Sequence, residues 1–148
     1  REAKLDIAKV YPELDETRTL GEVLLAPTRI YAKQIVGVLR KYKVKQVISG
    51  MSHITGSGLP GNLPRSLTNL NAVLNRKSWT PHPVFPFLQK HGNIADNEMF
   101  DVFNMGIGYC LFVRPHFAEA VADLLRKQGE TVRVIGKLAA GTGRFIMK

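Results

Sequence analysis

The chain has 148 residues, 45% of them apolar, and a formal charge of +9 from 21 Lys and Arg against 12 Asp and Glu. That length suits one domain with a real core, and no apolar run approaches the roughly 18–20 residues that span a bilayer. The single cysteine, Cys110, excludes an internal disulfide and a zinc cluster built on thiolates, and suits a small buried side chain in a reducing, cytoplasmic setting.

The distribution of charge says more than its size. From Val23 to Ala95 there is no acidic residue, while Arg29, Lys33, Arg40, Lys41, Lys43, Lys45, Arg65, Arg76, Lys77 and Lys90 all fall there. Such a segment sets up a field of one sign that attracts an anion: a phosphorylated small molecule, a nucleotide or a nucleic acid.

In chain order, Arg1-Glu2-Ala3-Lys4 reads like the middle of a helix that ends near Val10, which suggests a segment upstream and no signal peptide. Tyr11–Arg18 is a polar loop, and Leu20–Leu25 is too short to assign. Thr28 is placed to cap a helix reaching Tyr42, with Tyr31, Ile35, Val38, Leu39 and Tyr42 at helical spacing. Arg40, Lys41 and Lys43 suit the negative end of its dipole. Gln46–Met51 predicts a strand, followed by a glycine-rich segment from Ser52 to Gly61. Asn62 is placed to cap a short helix through Leu67 with Pro64 in its first turn. Ala72–Asn75 is a weak strand, and Thr80-Pro81-His82-Pro83 is irregular because proline removes a donor and fixes φ. Helices are expected over Val84–Lys90, over Glu98–Phe103 capped by Asn97, and over His116–Gln128. Gly108–Val113 reads as a buried strand, Thr131–Leu138 as an alternating one, and Phe145–Met147 as a last one. The interleaving predicts an α/β (α+β type) sandwich, a mixed sheet with helices packed on it and covering both faces of its central strands at least in part.

Two segments have chemical potential. Ser52-His53-Ile54-Thr55-Gly56-Ser57-Gly58 follows a strand and precedes a helix start. Glycines there let main-chain amides approach an anion, and His53 and Thr55 add side-chain donors. A tight connection with a structural histidine explains the same residues. Asn104-Met105-Gly106-Ile107-Gly108 is a second glycine pair, readable as a turn into the next strand. The four histidines, His53, His82, His91 and His116, lack metal-ligand spacing. Trp79, Phe85, Phe87, Phe100 and Phe103 sit at spacings that suit a core as well as base stacking.

Taken in order, Leu24-Leu25-Ala26-Pro27-Thr28-Arg29-Ile30-Tyr31, Gly50-Met51-Ser52-His53-Ile54-Thr55-Gly56, Gly58-Leu59-Pro60, Asn62-Leu63-Pro64-Arg65, Glu98-Met99-Phe100 and Phe103-Asn104-Met105-Gly106-Ile107-Gly108 resemble the aminoimidazole ribonucleotide synthetase (phosphoribosylformylglycinamidine cyclo-ligase) family. Residues 1–148 would be a single carboxy-terminal domain of that superfamily. The resemblance implies a longer two-domain enzyme, dimeric and cytoplasmic, whose amino-terminal domain carries the magnesium ligands and most of the ATP site. Its reaction turns formylglycinamidine ribonucleotide into aminoimidazole ribonucleotide in purine biosynthesis. By the same resemblance, His53 is the catalytic contact, and Thr55, Gly56, Ser57, Gly58, Asn62, Asn104 and Gly106 bind substrate or phosphate, with no metal ligand in this half. Its partners would be the two anionic substrates and its own amino-terminal domain, with no membrane or nucleic acid. Two departures stand out: Ser57 replaces the middle of three glycines, where a side chain would narrow the loop or demand negative φ, and Asp101-Val102 replaces Arg-Thr. Formylglycinamidine ribonucleotide synthetase, selenophosphate synthetase and thiamine-phosphate kinase share the two-domain plan, but the His-Ile-Thr-Gly and Asn-Met-Gly-Ile-Gly pair favours the cyclo-ligase. A nucleic-acid-binding module rests on the charge alone.

Overall fold

The segment Tyr-Cys-Leu-Phe-Val is apolar on both faces, and each face meets a different layer. In the computed structural model, which describes residues 3–148, it forms β3 (Tyr109–Val113), paired antiparallel with β1 (Ile48–His53). The register sets Ser52 opposite Cys110 and His53 opposite Tyr109. Leu111 and Val113 pack with Val38, Val47, Val121 and Leu125 under helices α2 (Ala32–Lys41) and α6 (Ala118–Lys127). Cys110 and Phe112 join Ile54, Leu59, Leu63, Ala72, Leu74 and Trp79 in the main core.

Ala72 and Leu74 belong to β2 (Leu70–Leu74), the centre of a second sheet. It is antiparallel to β4 (Gly136–Ala140) and parallel to β5 (Phe145–Met147). The architecture is therefore an α+β sandwich with a mixed sheet, as expected. The second face of β3 meets helices only in part, as expected: Leu59 of the short helix Gly58–Asn62 and Leu63 of the following turn share it with Ala72 and Leu74 of the other sheet. The remaining helices are α1 (Leu20–Leu24), α3 (Gly58–Asn62), α4 (Val84–Gly92) and α5 (Asp96–Val102). A third cluster of Leu14, Leu20 and Phe87 ties the amino-terminal segment to α4. No helix among the described residues is long and apolar enough to cross a membrane.

Several local expectations are corrected. Residues 3–10 form turns and one bridge, Val10 to Thr19, instead of a helix end; Lys4 has φ of +49°, which a right-handed helix excludes. Arg1 and Glu2 lie outside the described residues. Leu20–Leu25, unassigned from sequence, holds α1, closed by a reciprocal cap between Thr19 and Glu22. α2 begins at Ala32 and not after Thr28: the Arg29 side chain is drawn to Glu130 and the Tyr31 hydroxyl is seated over Gly108, which hold residues 29–31 outside the helix. β1 runs two residues later than expected, so His53 ends the strand instead of following it. Asn62 precedes a 3₁₀ turn, Leu63–Ser66, but its amide turns back to the glycine loop instead of capping. Ala95 and not Asn97 precedes α5, with Asp96 and Glu98 in the first turn, where the dipole favours acids.

Of the alternating segment Thr131–Leu138, only its end from Gly136 pairs as a strand. Residues 130–138 form one wall of a cavity of about 640 Å³ whose other wall includes residues 106–113. Both faces of β3 contribute to that lining, so the cavity runs along the strand edge that β1 leaves unpaired.

Candidate functional site

The glycine-rich loop is built from behind. Ser52 Oγ donates to Asn62 O at 3.1 Å, and Asn62 Nδ2 donates to Gly56 O at 2.9 Å and to Gly58 O at 2.7 Å. Asn62 is buried, so both of its amide hydrogens hold the loop. Gly58 is fixed doubly: its φ is +52°, and a Cβ there would fall 2.1 Å from Phe100 O and 2.7 Å from Phe103 O. The Gly58 amide donates to Thr55 O at 3.2 Å, whereas no main-chain bond occupies the amides of Gly56 and Ser57 among the described residues. Thr55, Gly56 and Ser57 are exposed in front of this support. Ser57 has φ of +69°, so it keeps a glycine-like left-handed backbone; of the two expected consequences of its side chain, a narrowed loop or a negative φ, the second does not occur.

His53 stands at the exposed end of β1 in a triangle of rings. Its imidazole stacks on Tyr109, with centroids 5.8 Å apart and planes 26° apart, and meets Tyr31 edge-on at 6.0 Å. Tyr31 and Tyr109 close the triangle at 5.5 Å. The Tyr31 hydroxyl reaches space that only glycine leaves open, since a Cβ on Gly108 would lie 1.9 Å from it. Burial pushes the Tyr31 phenol above its ordinary pKa; Glu130 adds to that and Arg29 opposes it. Arg29 is tethered in turn by Glu130 Oε2 at 3.0 Å and Gly129 O at 3.0 Å.

The second glycine segment lies beside the first, joined by a bond from Ile54 N to Gly108 O at 2.9 Å. Asn104 Oδ1 accepts from Gly106 N at 2.9 Å, closing a tight turn in which Met105 and Gly106 have φ of +51° and +89°. Trp79 Nε1 donates to Met105 O at 3.0 Å and fastens the turn to the core. The fold thus gathers His53, Thr55, Gly56, Ser57, Gly58, Asn104 and Gly106 at one end of the β1–β3 ladder, with Asn62 buried behind them. Gly106, against His82, is the member that also borders the cavity. Sequence reasoning missed the tyrosines as neighbours of His53. Tyr31 was read as helix core, and Tyr109 faces His53 only through a register that composition cannot supply.

The acid-free stretch is partly neutralised by acids from its flanks: Arg29 pairs with Glu130, Arg76 with Asp96, and Lys90 with Glu13. Lys33, Arg40, Lys41, Lys43, Lys45, Arg65 and Lys77 form no ion pair among the described residues. No group of three or more His, Cys, Asp or Glu converges among the described residues. Cys110 is buried, which pushes its thiol up to about 12 and leaves it inert as a nucleophile.

The profile of the family "AIR synthase related protein, C-terminal domain" matches residues 3–148. The chain belongs to that family. Among similar proteins is the phosphoribosylformylglycinamidine cyclo-ligase of Bacillus velezensis, 44% identical over 140 residues, which are 94% of this chain and 39% of the relative. Proteins of the same name from Geobacillus kaustophilus and Bacillus cereus are 44% and 42% identical over 143 residues, 96% of this chain and 40% of each relative. The chain thus spans about two fifths of the length of these curated relatives.

Proposed function

We propose that this chain is the carboxy-terminal half of an ATP-dependent ligase that closes the imidazole ring of aminoimidazole ribonucleotide. The observation that carries the reading is the exposed turn Thr55–Ser57, with His53 at its base and two main-chain amides, of Gly56 and Ser57, free of internal bonds among the described residues, in a domain of this family. The substrates would be formylglycinamidine ribonucleotide and ATP, with magnesium and most of the ATP contacts on an amino-terminal domain. Both substrates are anionic, which suits the unpaired cations of the acid-free stretch.

In the reaction, the γ-phosphoryl group of ATP passes to the formyl amide oxygen. The internal amine attacks the activated carbon, and the carbon–oxygen bond breaks with release of phosphate. His53 would contact the transferring group. The amides at Gly56 and Ser57 would hold the developing oxyanion, and Asn104 and Gly106 would shape the adjoining wall. Gly58 and Asn62 would act by keeping the turn in place. The full enzyme is proposed to work in the cytoplasm as a homodimer.

This reading expects no ring closure by the 148 residues alone and recovery when the amino-terminal half is joined or added, measured as formation of aminoimidazole ribonucleotide. Full activity of the chain by itself would overturn it. In the joined enzyme, His53→Ala is expected to lose turnover by roughly 10²–10⁴-fold; wild-type turnover would remove His53 from the chemistry.

A further inference from the structure

We propose that Tyr31 and Tyr109 are positioning residues that fix the orientation of the His53 imidazole. The inference rests on the reading of His53 as a contact of the reacting groups. A histidine ring is usually held by a hydrogen bond from one nitrogen, as in His91, whose Nε2 lies 2.8 Å from Glu13 Oε1. His53 has no such partner among the described residues. It is exposed, and the torsion that turns its ring is intrinsically broad.

Two rings replace the missing bond. Tyr109 covers one face of the imidazole at 5.8 Å and 26°, and Tyr31 abuts it at 6.0 Å and 70°. Both distances fall in the range of attractive aromatic pairs. A stacked ring on the face and a ring at 70° block rotation in different directions, so together they select one orientation. Each tyrosine is located independently of the histidine. Tyr109 is set by the β1–β3 register, which puts it directly opposite His53 on the same side of the ladder. Tyr31 is set by the missing Cβ of Gly108 and by the neighbouring Arg29, which Glu130 and Gly129 O anchor. The nitrogens of His53 are thereby left for a ligand while the ring plane stays fixed.

The test combines a spectroscopic and a kinetic readout. In the 148-residue chain labelled at histidine Cε1, the His53 signal is assigned by its loss in His53→Asn. The ring currents of the two tyrosines are expected to displace it from the position of a solvated histidine. Tyr109→Leu and Tyr31→Leu should move it back towards that position, and Tyr109→Phe and Tyr31→Phe should restore it. The signals of His82, His91 and His116 should stay put, which shows that the variants fold. In the joined enzyme, Tyr109→Leu should lower kcat by roughly tenfold to a hundredfold with KM unchanged, and the Phe variant should recover it. A His53 signal that the Leu variants leave in place would overturn the proposal, as would a moved signal with wild-type kcat. If His53→Ala itself turns over normally, the reading of His53 fails, while the resonance still judges whether the rings hold it.

Discussion

The two glycine segments sit side by side at one end of the same pair of strands, bridged from Ile54 N to Gly108 O, yet glycine serves different ends in them. In Asn104–Gly108 packing or backbone conformation accounts for both glycines: Gly106 has φ of +89° against His82, and Gly108 makes room for the Tyr31 hydroxyl. In Ser52–Gly61 Gly58 is equally constrained, wedged against two carbonyl oxygens of α5 and the residue after it. Gly56 is not. Its φ is not positive, and a Cβ there would meet nothing within 4 Å. Gly56, which neither packing nor conformation demands, also has an amide without an internal bond among the described residues. The two segments thus fall into a framed part and an open part, and the open part is the turn in front of His53.

The largest effect should come where the frame is tightest. Gly58→Ala meets main-chain oxygens that have no room to retreat and adds a left-handed alanine, so about 3–5 kcal/mol of stability should be lost. Gly108→Ala meets the far end of a side chain and should lose about 1–3 kcal/mol, with Tyr31 displaced. Urea midpoints measure both, and equal losses would break the distinction between the two constraints.

The paired asparagines give the next contrast. Asn62 is buried with two bonds to loop carbonyls, whereas Asn104 is half-buried with one bond to an amide. Asn62→Ala should cost about 2–3 kcal/mol and Asn104→Ala about 1 kcal/mol by the same measurement. A larger loss at Asn104 would make the second segment the frame of the first.

How far all this could be read in advance depended on whether the determining contact was local. α2 was legible because Ile35 and Val38 repeat at helical spacing, although Leu39, expected on the same face, is 42% exposed. The strand at β3 was legible as an unbroken apolar run. Neither the split into two sheets nor the company of His53 was legible, since both depend on which strand edges meet. The same holds for Thr131–Ile135, whose alternation is genuine but which lies across a cavity from β3 instead of pairing with it. At the site, the glycine-rich loop announced itself by composition. The tyrosines did not, because Tyr31 satisfies a helix pattern as well as it satisfies the space beside Gly108.

Ser57 sharpens the comparison in the other direction. It holds φ of +69° with a side chain, on the boundary between the framed and the open parts. Replacing it by glycine should relieve the left-handed backbone and raise stability by about 0.5–1 kcal/mol after the extra unfolded-state entropy of glycine is counted. A loss of stability in thermal unfolding would mean that the serine side chain makes a compensating contact.

The smallest effect on stability is expected at Gly56, and there the comparison meets its hardest test. Gly56→Ala adds a methyl group to open space at a residue without positive φ, so the unfolding midpoint should move by no more than about 0.5 kcal/mol. If the Gly56 amide holds an oxyanion in the joined enzyme, the added methyl stands where the ligand approaches. Turnover should then fall by roughly tenfold or more without any change in fold. A variant as active as it is stable would show that the open glycine is merely tolerated, and the chemistry would have to be sought at His53 and Thr55 alone.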